Sequence, residues 1–140
     1  MVLGMSKVIR ETQKLDDALR NLAAKLNVDF TGQAFGEVEA ALRELGKTTS
    51  FTTTQVTELA TVLAQGGKNA GQIKVMTKSM LDLSRAMSEG TADSARIAQS
   101  AMDAYGLSVE DSRRAADVLS YTVNNSNQNL IDLGEANNYV

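Results

Sequence analysis

Phe51-Thr52-Thr53-Thr54-Gln55-Val56-Thr57-Glu58-Leu59-Ala60-Thr61-Val62-Leu63-Ala64-Gln65-Gly66-Gly67 decides the fold class. Thr52 stands three residues before Gln55, the spacing of a capping box. In that arrangement the two side chains satisfy each other's backbone N–H groups at a helix start. Phe51 and Val56 occupy the positions of a hydrophobic staple across the same start. Val56, Leu59, Ala60 and Leu63 then recur at helical spacing. Gly66-Gly67 supplies the stop, because glycine enters the left-handed region that ends helices at little cost. A start, a buried stripe and a stop within one short segment specify an amphipathic α-helix.

The same grammar repeats toward the C-terminus. Asn69 with Gln72 predicts a second capping box. Ile73, Met76, Met80, Leu83 and Met87 follow as one stripe, broken at Glu89-Gly90. A methionine-rich stripe suits either a core or an adaptable groove for a partner helix. Thr91 is placed to cap the next helix, with Asp93 complementing its dipole. Ile97, Ala101, Met102 and Tyr105 are expected to face inward, and Gly106 to take the left-handed position after them. Ser108 and Asp111 open a further helix, with Ala115, Val118, Leu119 and Thr122 on its face. Asn124 to Asn129 reads as a polar turn. Its Asn124-Asn125-Ser126 glycosylation sequon lacks any accompanying secretory signal. A last helix is expected from Gln128, carrying Leu130, Leu133 and Tyr139.

Toward the N-terminus, a helix from about Thr31 to Leu45 carries Phe35, Val38, Leu42 and Leu45, with Gly46 as its expected stop. Before it, Met5, Val8, Thr12, Leu15, Leu19, Leu22 and Leu26 alternate by threes and fours. This is a coiled-coil-like seam with one polar flaw at Thr12. It suits equally an amphipathic helix packed on its own domain and a self-association surface. The expected plan is therefore all-α, about seven short-to-medium amphipathic helices forming a helical bundle. Residues 1–29 make an N-terminal heptad helix and residues 30–140 the remainder. No segment shows the alternation of a strand. The helices are similar in size, but no fixed period with matching residues emerges.

Composition supports this plan and removes much chemistry. The 140 residues are 43% hydrophobic and 22% charged but only 4% aromatic, so the core is aliphatic. Histidine and cysteine are absent, which removes the commonest general base, thiolate chemistry and the commonest soft metal ligands. Proline is absent where average usage would give about seven. Every expected break then rests on glycine, which costs a helix about 1 kcal/mol against about 3 for proline. Charges of both signs are interspersed, giving a net −3 and no basic stripe for nucleic acid. Adjacent Arg113 and Arg114 alternate with acids and read as a solvated face. No apolar run reaches membrane-spanning length.

No catalytic, cofactor-binding or metal-binding residue is assigned. Serines and threonines fall at caps. Gly66-Gly67-Lys68 lacks the preceding strand and the glycine spacing of a phosphate loop. Asp16-Asp17 and Glu110-Asp111 are neighbours on helices and do not converge on one point. The candidate residues are instead partner-packing ones: Leu15, Leu19, Leu22, Leu26, Met76, Met80 and Met87. On residues alone, a generic helical protein–protein interaction module is one reading.

A resemblance narrows it. From about Phe30 to Val140 the order of motifs resembles the core region of phage tail tape measure proteins. It comprises Leu45-Gly46-Lys47, Ser50-Phe51-Thr52, Leu63-Ala64-Gln65-Gly66-Gly67, Tyr105-Gly106, Ala116-Asp117-Val118-Leu119, Asn125-Ser126 and Gly134-Glu135-Ala136 with Tyr139. Departures are Lys68, where the family often has an aromatic, and Asn137-Asn138, where an apolar residue is common. The family pattern continues past Val140, so a fragment is expected. The resemblance implies a non-enzymatic protein of a tailed bacteriophage or prophage. Such proteins line the lumen of the tail tube, set tail length and leave during infection. Tube subunits and tail assembly chaperones are the implied partners, with a homo-oligomer in the lumen. The implied location is the virion tail, and the host cytoplasm during assembly.

Overall fold

The computed structural model describes residues 2–87 and 90–126. Among them are six α-helices, one 3-10 turn and no strand: α1 (Val2–Leu26), α2 (Gln33–Thr48), α3 (Thr53–Gln65), α4 (Ala70–Met87), α5 (Thr91–Ala104), a 3-10 turn at Val109–Asp111, and α6 (Ser112–Ser126). The all-α expectation holds. The seventh expected helix, with Leu130, Leu133 and Tyr139, lies outside the described residues.

The helix ends follow from local hydrogen bonding. Thr52 Oγ1 accepts from the Gln55 N–H at 3.1 Å, and Gln55 Oε1 accepts from the Thr52 N–H at 2.9 Å. Asn69 and Gln72 repeat the exchange at 2.9 Å in both directions. Three helices finish with a residue at positive φ: Asn27 after α1, Gly67 after α3 and Gly106 after α5. In each case the next N–H reaches back five residues, Val28 to Ala23, Lys68 to Leu63 and Leu107 to Met102. These are Schellman ends, which satisfy carbonyls that a helix terminus otherwise leaves open.

The core is continuous and aliphatic. Its largest fully buried side chains include Phe35, Leu22, Leu59, Leu63, Met76 and Met80. Helix α3 is the most enclosed, with eight buried residues of its thirteen. It meets α1, α2, α4 and α5. Helix α4 in turn meets α2, α5 and α6. The odd helices thus form one row, α1–α3–α5, and the even helices a second, α2–α4–α6. Buried hydroxyls do not oppose this packing. Thr57 and Thr61 donate to carbonyls one turn back, Thr53 O at 2.7 Å and Thr57 O at 2.9 Å. No buried side-chain polar atom among the described residues lacks a partner.

Several local expectations are corrected. Gly46 does not stop α2, which runs on to Thr48. Its missing side chain serves packing instead, because a Cβ there would meet the Thr53 hydroxyl oxygen at 2.3 Å. Gly90, not Thr91, is the N-cap of α5. The Thr91 hydroxyl is used elsewhere, donating to the Gln55 carbonyl on α3 at 3.0 Å. Tyr105 and Val118 are 63% and 56% exposed rather than inward. On α6 the buried face is Ala115, Ala116, Leu119 and Val123, because two alanines let α6 approach α4 closely. Asn124, Asn125 and Ser126 continue α6 rather than turning. There the Asn125 side-chain amide donates to Tyr121 O at 2.8 Å, serving the helix backbone it was expected to disrupt.

Candidate functional site

The expected partner-packing residues divide between core and surface. On α1, Leu19 and Leu22 are fully buried against the rest of the chain, while Leu15 and Leu26 are half-buried. N-terminal to Leu15 the seam changes character. Residues 6–14 are exposed throughout, with Val8 at 65% and Ile9 at 54%. Over residues 6–14, a stretch of about 14 Å, the helix carries no packing from the described core. Its charges pair along its own face, Lys14 with Glu11 at 3.7 Å and Arg20 with Asp16 at 2.8 Å. Such exposed pairs each contribute less than about 1 kcal/mol.

The methionine stripe lies inside. Met76 and Met80 are fully buried and Met87 is half-buried against the core. In this folded form they fill the space between helices rather than lining a groove.

An open groove does run along the row of odd helices. Thr61 and Val62 of α3 form its floor, Ala18 and Asn21 of α1 one side, and Ala92 and Arg96 of α5 the other, with Glu58 beside them. The floor is nearly closed to solvent, and the charged residues stand at the rim. Sequence periodicity did not single out this groove. Its residues come from three helices, and Thr61 and Val62 lie outside the stripe of Val56, Leu59, Ala60 and Leu63.

The residues considered for chemistry are otherwise engaged. The Lys68 N–H donates to Leu63 O, closing α3, and its ammonium group lies 3.8 Å from Asp103. The Asp111 carboxylate accepts from the Ser108 hydroxyl at 2.8 Å and from the Ser108 N–H at 3.0 Å. These bonds hold its carboxyl below the ordinary carboxylate range. Asp29 is lowered likewise by the backbone N–H and then the hydroxyl of Thr31. Among the described residues, no group of three or more His, Cys, Asp or Glu is placed to hold a metal ion. None of the described helices is long and apolar enough to cross a membrane.

The described residues therefore present helix surfaces: a covered aliphatic core, a shallow groove along one row, and a helix extending past the core. Among the described residues this is an all-α protein. The chain belongs to the phage-related minor tail protein family, whose model matches residues 39–140. Neither a curated protein nor a solved structure matches it. Family membership gives the chain a structural role in a phage tail, tail-assembly partners and a place in the virion tail.

Proposed function

We propose that the chain is the core region of a tail tape measure protein, setting tail length and scaffolding the tail tube from within its lumen. The observation that carries this is the ordered series of motifs between Phe30 and Tyr139, lying over the family match at 39–140. In this reading residues 30–140 are the tape-measure core, and residues 1–29 a heptad helix that joins copies in a coiled coil. Tube subunits and assembly chaperones are its partners, and it carries no catalysis.

Helix is a suitable material for a ruler. At about 1.5 Å per residue, 140 residues in one continuous helix would span roughly 210 Å. Folded as a compact bundle, the same chain would have a radius of gyration of about 14 Å. The chain is compact alone and extended in the tube, because its turns hold no proline and each costs little to draw into helix. Extension would free the seams now inside: Leu15, Leu19, Leu22 and Leu26 on α1, and Met76, Met80 and Met87 on α4. These then pack against other copies or the tube wall.

In-frame shortening of the parent gene within this region, followed by electron microscopy of assembled tails, tests the reading. Tails should shorten in proportion to the residues removed. Tails of unchanged length would refute the ruler. Density for a compact fold inside an intact tube would refute extension alone.

A further inference from the structure

We propose that residues 53–126 are two copies of one helix-hairpin unit with a 39-residue repeat. The proposal stands independently of the tail-length reading.

The repeat lies in the turns and the burial pattern. Gly67 and Gly106, 39 positions apart, have φ of 87° and 65°. Each ends the first helix of a pair with the same Schellman bond, Lys68 N–H to Leu63 O at 3.0 Å and Leu107 N–H to Met102 O at 2.8 Å. Two residues on, Asn69 and Ser108 start the second helices, each bonded to the residue three further along, Gln72 and Asp111. Buried positions coincide at the same offset: Val56 with Ala95, Leu59 with Ala98, Leu63 with Met102, Met76 with Ala115 and Met80 with Leu119. The α1–α2 pair follows the plan less regularly. Its Schellman end at Asn27 lies 40 positions before Gly67, with Leu19 and Ala23 40 before Leu59 and Leu63, while Phe35, Val38 and Leu42 lie 38 before Ile73, Met76 and Met80. The two rows of helices are the expected result of stacking such pairs, each meeting its neighbours in sequence.

One experiment on the full chain tests this. Residues 53–91 are duplicated in tandem, adding 39 residues in register to the 140. One urea transition is expected, with its denaturant slope raised about 1.3-fold. A second transition, an unchanged slope or loss of the folded state would overturn the repeat.

Discussion

Gly66 lies directly against Gln99: a Cβ added to the glycine would fall 1.5 Å from the amide nitrogen of Gln99. Gly66 has φ −80°, so close approach and not backbone freedom requires glycine there. The contact is with the amide end of a flexible side chain, and Gly66 and Gln99 both border an open cleft into which that end can swing. Gly66→Ala should therefore cost about 1 kcal/mol, the low end of the range for overpacking. Gly67→Ala should cost about 1–2 kcal/mol for a different reason, its positive φ of 87°. Gly36, in the exposed interior of α2, has open space around it, and Gly36→Ala should stabilise by up to about 1 kcal/mol. Urea midpoints of the three variants check the ordering.

The hydroxyl of Thr91 joins the start of α5 to the start of α3 through the Gln55 carbonyl. Thr91→Val keeps the shape and removes the donor. A loss of about 1 kcal/mol is expected, the usual net value of one such bond. Thermal unfolding monitored by circular dichroism measures it, and an unchanged midpoint would show that the bond adds nothing.

Helix α1 should behave as two halves. Leu22→Ala empties a fully buried site and should cost about 2–5 kcal/mol. Val8→Ala, on the exposed half, should lie within about 0.5 kcal/mol of the parent in dilute solution. Equal effects at the two positions in a denaturation series would contradict the division.

Acid should weaken the fold partly through Asp111 and Asp29. Both carboxyls are lowered from the ordinary value of 3.8 by bonds from Ser108 and Thr31. A lowered folded-state pKa contributes stability that is complete above the unfolded value and lost as pH falls through the folded one. The loss should therefore appear below about pH 4. Asp111→Asn and Asp29→Asn should each flatten the fall in midpoint between neutral and strongly acidic pH.

Much of the helix grammar was legible in the residues. Thr52 with Gln55 and Asn69 with Gln72 announce their helices because a capping box is purely local. The stripes of α2, α3 and α4 were equally readable, since their apolar residues are large and regularly spaced. Errors arose where the deciding partner is distant. Gly46 resembles a stop until Thr53 is seen against it. Thr91 resembles a cap until Gln55 accepts its proton. The repeat escaped periodicity for a related reason. Its copies pair Val56 with Ala95 and Ile73 with Ser112, so burial is shared while residue type is not. The groove on the odd helices was hidden because it is assembled from α1, α3 and α5 together.

The order of the helices also bears on how fast the chain folds. The main tertiary contacts join helices two apart, α1 with α3, α3 with α5 and α4 with α6, so each packing step closes a loop of only about one helix and its turns. Without proline, no slow isomerisation step stands in the way. Stopped-flow refolding should be complete within milliseconds, fast enough for the polypeptide to collapse as it leaves the ribosome.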